Sequence, residues 1–152
     1  MNTREQVALN VYAWKKQGLR VGMASGAFDL FHAGHLSFLT GLRGHVDRLV
    51  VAVMSDEACN EKKYGRPIIP AVQRVAIVSA LQCVDDAFVF PENGDERNIE
   101  LVLPNVFSRG DGHGPVLKVS GTLARLGIET ILIHTPRITS TSEIIARIHD
   151  RR

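Results

Sequence analysis

Long hydrophobic runs are missing from this sequence: no apolar stretch approaches the roughly 20 residues that a membrane-spanning helix needs. Met1 to Lys16 mixes charged with apolar residues and has no signal-peptide core. Both absences lead to the expectation of a cytoplasmic chain with no membrane partner. Cysteine is scarce as well. Cys59 and Cys83 are the only two, and they fit neither a disulfide nor a metal framework. They read as thiols of a reducing compartment, with Cys83 in the core. Charge of one sign is also lacking: 18 Lys and Arg against 16 Asp and Glu leave a formal net charge of +2. A nucleic-acid or anionic-membrane surface needs basic residues gathered on one face, so neither partner is expected. Arg147, Arg151 and Arg152 make a mildly basic ending that a solvated helix end explains.

What is present is a chain of 152 residues, 45% hydrophobic and 22% charged. That suits one folded unit over residues 1–152 with a leading helix in 1–18. Thr3-Arg4-Glu5-Gln6 forms a capping-box pattern, and Val7, Val11 and Trp14 follow at helical spacing until Gly18. Residues 19–25 read as a strand that runs into Gly26. Residues 32–42 read as a helix with Leu36, Leu39 and Leu42 on one face. The continuous apolar run 49–54 suits a parallel strand covered on both sides. Helices are expected over 57–61, 71–81, 96–103, 116–126 and 142–150, and strands over 86–90, 105–107 and 129–134. Strand and helix alternate throughout, which predicts an α/β, Rossmann-like three-layer domain around a five-stranded parallel sheet.

Open sheets of this kind bind ligands beyond the carboxyl ends of their strands. The unusual residues of this chain fall in four such loops: 26–34, 55–70, 108–115 and 135–141. The first reads Ser25-Gly26-Ala27-Phe28-Asp29-Leu30-Phe31-His32-Ala33-Gly34-His35. Gly26, Ala27 and Gly34 let the backbone come close to a bound group. A helix that starts here offers unpaired amides to a phosphate. His32 and His35, three apart, share one face and can donate to charge that develops during phosphoryl transfer. Two other readings stand beside this one. The histidines can cap the helix or fill space, and Asp29, His32 and His35 can hold a metal as two imidazoles and a carboxylate.

The run G-x-F-D-x-x-H-x-G-H resembles the signature of the cytidylyltransferase-like nucleotidyltransferases. The likeness continues through Val53-Met54-Ser55-Asp56, Gly65-Arg66-Pro67-Ile68 with Pro70 and Arg74, Arg109-Gly110-Asp111, and Ser140-Thr141-Ser142-Glu143-Ile144-Ile145. Within the family, the chain is similar to the adenylyltransferases of ADP-heptose synthesis and to the glycerol-3-phosphate cytidylyltransferases. Ser25-Gly26-Ala27 stands where the adenylyltransferases carry Asn-Gly-Cys. In the loop after Arg109 the carboxylate sits one position earlier than in relatives.

The resemblance implies transfer of a nucleoside monophosphate from ATP or CTP to a small phosphorylated acceptor, with Mg²⁺ on the phosphates and a homodimeric assembly. His32, His35, Lys63 and Arg74 are the catalytic candidates. Gly26, Ala27, Phe28, Gly34, Arg109, Gly110, Asp111, Ser140 and Thr141 are the nucleotide contacts, and Asp29, Asp56, Lys62 and Arg66 the substrate contacts. No resident protein-held metal is expected. Each candidate also has a plain structural reading. Lys62, Lys63 and Arg66 suit a solvated loop, and Lys62 and Lys63 are interchangeable on sequence grounds. Arg74 suits an internal salt bridge, Asp29 and Asp56 a cap or turn, and Ser140 to Glu143 a capping box. Two rival functions are a non-catalytic nucleotide sensor and a metal-dependent hydrolase using Asp29, His32 and His35.

Overall fold

A computed structural model of the chain describes residues 2–62, 65–91, 94–109, 118–134 and 138–150. The elements run α1 (Arg4–Lys16), β1 (Val21–Gly26), α2 (Ala33–Arg43), β2 (Arg48–Met54), α3 (Asp56–Lys62), α4 (Ala71–Ser79), β3 (Asp86–Phe90), α5 (Glu96–Val102), β4 (Val106–Ser108), α6 (Ser120–Leu126), β5 (Glu129–Thr130) and α7 (Thr141–His149). All strand pairs are parallel, in the order β3-β2-β1-β4-β5. This is the five-stranded parallel α/β sheet that the alternation of elements predicts.

Side chains along a strand point to opposite faces in turn, and each face here has its own core. Val21, Met23, Val50, Ala52, Met54, Phe88 and Phe107 meet Val7 and Val11 of α1, Ala58 and Cys59 of α3, Ile99 and Val102 of α5, and Leu123 of α6. Ala24, Leu49, Val51, Val53, Ala87 and Val106 meet Phe38, Leu39 and Leu42 of α2 and Val75 and Val78 of α4. Strand β2 is covered on both sides, which explains why its sequence is an unbroken apolar run.

Three details differ from the sequence expectation. The last strand is only Glu129–Thr130. Residues 131–134 lack ladder pairing, yet Ile133 is buried against α2, where an added Cβ on Gly41 would lie 2.6 Å from Ile133 Cγ2. Helix α6 begins at Ser120 among the described residues, since Lys118 and Val119 form a tighter turn. Of the thiols, Cys59 is the buried one and Cys83 is half-buried at the edge of the second core. Cys83 follows α4 beyond its last turn, where it packs on the core from one side only.

The sheet order places the site. The chain leaves β1 toward β2 and β3 on one side, and β4 and β5 add on the other. The crevice between the carboxyl ends of β1 and β4 is therefore the topological switch point. Ala24 pairs with Ser108 there, so the segments starting at Ser25 and at Arg109 emerge side by side.

Candidate active site

The loop after β1 is held in a tense conformation. Phe28 and Leu30 have φ of 50° and 45°. Left-handed backbone costs a non-glycine residue about 1–2 kcal/mol. Asp29 between them supplies the restraint. Its carboxylate, 4% exposed, accepts the amides of Leu30 (3.1 Å), Ile68 (2.9 Å) and Ile69 (2.9 Å), and Arg66 Nη1 lies 3.5 Å away. The Asp29 carbonyl in turn accepts from the Thr141 hydroxyl at 2.9 Å. One residue thus ties together the β1 loop, the 65–70 loop and the start of α7.

His32 is the N-cap of α2, with extended backbone and Nδ1 accepting from the Gly34 amide at 3.1 Å. A ring that accepts at Nδ1 keeps its neutral-form proton on Nε2, as a donor. The His32 and His35 rings stack with centroids 3.8 Å apart and 21° between planes. Phe28 and Phe31 each approach the His35 ring at 5.4 Å. Gly34 is required by closeness: an added Cβ would meet the His32 ring at 3.0 Å and the Thr139 carbonyl at 3.3 Å. No acidic residue occupies the first turn of α2, so its positive end is not neutralised from within.

Burial pushes the His32 imidazole below its ordinary value of 6.5, against the opposing charge of Glu143. A folded value below the unfolded one favours the neutral ring. The stability it contributes is present above pH 6.5 and is lost as pH falls from there through the folded value. In an NMR titration of the ligand-free protein, His32 is expected to titrate below 6.5. A midpoint at or above 6.5 contradicts the capped, neutral ring.

Cationic groups stand around the crevice. Arg66 reaches toward Asp29 and, at 3.5 Å, toward the Ser142 hydroxyl. Arg109 follows β4 and pairs through Nη1 with Asp95 Oδ2 at 3.4 Å. Lys62 ends α3, and its ammonium is pushed down by burial and then by Arg109, with Asp95 opposing.

Several of the expected contact residues have partners within the chain. The side chain of Arg74, one of the catalytic candidates, is fully buried and donates to the carbonyls of Ile69 (2.7 Å) and Ala27 and to Asp56 Oδ1 (2.7 Å). The internal salt bridge holds for this residue because three acceptors enclose the guanidinium. Asp29, expected on substrate, has both oxygens taken by backbone amides. Asp56 Oδ1 also accepts the Ala71 amide at 2.8 Å, while the side chain stays about half exposed, at 46%. The Ser140 hydroxyl caps α7 by accepting from the Glu143 amide at 3.2 Å. Phe28 is buried against Gly26 and His35, so its ring supports the site from behind. Ala27, Gly26 and Gly34 line the same loop. Lys63, Gly110 and Asp111 lie outside the described residues.

Three further residues stand outside the site expected from sequence. Asp95 and Ser25 form a buried hydrogen bond across the crevice, and Glu143 acts on His32. The rule about carboxyl ends covers all five strands, so the loop after β3 belonged with the other four. Among the described residues, no group of three His, Cys, Asp or Glu side chains is placed to hold a metal ion. Asp29 turns its carboxylate to the 68–69 amides, and the two imidazoles lie face to face.

The chain is similar to known proteins along most of its length. The cytidylyltransferase-like family model matches residues 23–147. The bifunctional protein HldE of Nitrobacter hamburgensis is 38% identical over 141 residues, 91% of this chain and 29% of that protein. HldE of Shigella sonnei is 36% identical over 149 residues, 96% of this chain and 31% of that protein. The chain therefore spans about three tenths of the length of these curated relatives. Among solved structures, the lipopolysaccharide core biosynthesis protein of Thermoplasma volcanium matches with a TM-score of 0.69 and 30% identity, over 78% of this chain and 99% of that one. The pantoate-β-alanine ligase of Francisella tularensis shares the fold, with a TM-score of 0.62 at 15% identity, over 100% of this chain and 78% of that one. With the family model over most of its length and its histidine pair at the switch point of the sheet, the chain belongs to the cytidylyltransferase-like family of nucleotidyltransferases.

Proposed function

We propose that the protein transfers a nucleoside monophosphate from ATP or CTP to a small phosphorylated acceptor and releases pyrophosphate. One observation carries the reading: the stacked His32–His35 pair sits at the N-terminus of α2, directly after the loop that leaves the carboxyl end of β1. A phosphate oxygen of the acceptor attacks the α-phosphorus. A new phosphorus–oxygen bond forms, the bond to the bridging oxygen breaks, and pyrophosphate leaves with the electron pair. The attacking group needs no general base, because a phosphate monoester's second pKa is about 6. His32, through Nε2–H, and His35 donate to the charge that builds on the phosphates in the transition state. Lys62, Arg66 and Arg109 set the charge balance of the crevice, and Lys63 remains a catalytic candidate from the sequence. The amides at the starts of α2 and α7 add donors, with Ser140 and Thr141 at the second.

The donors around the crevice are N–H and cationic groups. They suit the oxygens of a Mg²⁺–triphosphate rather than direct ligation of the metal. Mg²⁺ would neutralise phosphate charge there, and this chain's residues would hold the phosphates. Among acceptors, a sugar phosphate comes first, given the relative described by its role in lipopolysaccharide core biosynthesis. The same reading includes a homodimer in the cytoplasm, the assembly to be checked by light scattering.

The test is a pyrophosphate-release screen of four triphosphates against sugar phosphates, polyol phosphates and phosphonates. ATP or CTP with one acceptor class is expected to release pyrophosphate and yield a nucleoside diphosphate adduct. Triphosphate binding without release in any pairing makes the protein a sensor. Activity that needs stoichiometric transition metal and dies with a chelator makes it a hydrolase.

A further inference from the structure

Asp95 carries a buried charge whose local role is absent. It is 1% exposed and occupies the N-cap position of α5, yet makes no side-chain capping bond. Aspartate at that position ordinarily caps its own helix. Here the carboxylate turns across the sheet end instead. Oδ1 accepts from the Ser25 hydroxyl at the end of β1, and Oδ2 faces Arg109 Nη1 just past β4, at 3.4 Å. Three segments far apart in sequence thus meet over the switch point.

A carboxylate withdrawn from water needs partners that offset its lost hydration, and the serine and the arginine supply them. The arginine is not consumed in return. Its side chain is 19% exposed, its contact engages one nitrogen, and its enclosed Nε has no hydrogen-bond partner among the described residues. Lys62 brings a second cation close enough for Arg109 to depress its ammonium. Two cations beside one buried carboxylate leave a surplus of positive charge at the mouth of the crevice. A structural salt bridge alone would not need that surplus.

We propose that Asp95 is a positioning residue, which with Ser25 holds the Arg109 guanidinium over the β1–β4 crevice where it meets the phosphates of a nucleoside triphosphate. The inference rests on the transferase reading for the identity of the anion. It acts through Arg109 alone, so its signature is coupling between the two residues. Without the carboxylate, the guanidinium turns toward solvent and the triphosphate loses a preset donor.

The experiment is calorimetric binding of Mg²⁺–ATP and Mg²⁺–CTP to the full chain, with melting curves for every variant. Asp95→Asn keeps the size and removes the charge. It is expected to weaken Kd about tenfold, with kcat at saturating triphosphate within about threefold of wild type. Arg109→Ala is expected to lose about as much, and the double variant no more than Arg109→Ala alone. Asp95→Glu keeps the charge on a longer arm and covers the case in which Asp95→Asn does not fold. It should cost at least about threefold in Kd, an effect that vanishes in the Arg109→Ala background. Wild-type affinity in Asp95→Asn, or full additivity in the double variant, overturns the proposal. Binding without pyrophosphate release defeats the transferase reading and leaves this coupling to be read. Failure of the wild type to bind either triphosphate overturns both.

Discussion

Replacing His35 by alanine is expected to lower turnover about a hundredfold or more while the fold survives. A hundredfold is about 2.7 kcal/mol of transition-state stabilisation, the size of one preorganised donor lost from a phosphoryl-transfer site. His35 is the better of the two histidines to remove. His32 both caps α2 and offers Nε2–H, so its loss mixes about 1 kcal/mol of cap energy with the chemistry. His35 lies within the first turn and is only half-buried. Alanine there is a good helix former, and Phe28 and Phe31 close over part of the space. The melting temperature should therefore move little while kcat collapses. KM for the triphosphate should change far less than kcat if the donor acts chiefly on charge formed in the transition state. Steady-state pyrophosphate release and a thermal melt decide the matter. A folded His35→Ala protein with turnover within threefold of wild type would falsify the mechanism.

The fold was legible wherever one physical rule had no competitor. The unbroken apolar run of β2 suits a strand covered on both sides, and it contributes to both cores. The carboxyl-end rule places the histidine loop at the ligand-binding edge of the sheet. The rest was less legible because sequence gives residue types and not the direction of their hydrogen bonds. Arg74 among apolar neighbours needs an acceptor, but nothing in the spacing says whether that acceptor is a ligand phosphate or the chain's own carbonyls. Asp29 has the same ambiguity, since its amide partners lie 39 and 40 residues away. Asp95 directly precedes the helix expected over 96–103, and residue type alone does not give the direction of its carboxylate. Only the tertiary structure shows its carboxylate turned away from its own helix. The final strand is shorter than expected for a related reason: Ile131 and Ile133 are apolar because they pack on the second core, not because they pair.

The Arg74 geometry leads to the second large effect. Arg74→Met is expected to destabilise the protein by about 3 kcal/mol, and by linkage to weaken activity through the site's backbone. Methionine fills most of the volume but donates nothing. The carbonyls of Ala27 and Ile69 then lose the donor they share, and an unsatisfied group of this kind costs about 1–3 kcal/mol. Asp56 loses its ion pair but is half exposed and recovers water, so it adds little. For a chain of this size each kcal/mol shifts the melting temperature by about 2–4 °C, which puts the expected drop near 10 °C. Arg74→Lys should fall between, since one ammonium cannot span three acceptors set around a planar fork. The kinetic consequence follows from where those acceptors lie. Ala27 precedes the left-handed Phe28, and Ile69 carries an amide that binds Asp29. Loosening either lets the histidine loop relax. Had Arg74 gripped a phosphate, the same substitution would raise KM or lower kcat with the melting temperature unchanged. A melt within 2 °C of wild type, alongside a large kinetic loss, would return Arg74 to the ligand and refute the clamp seen here.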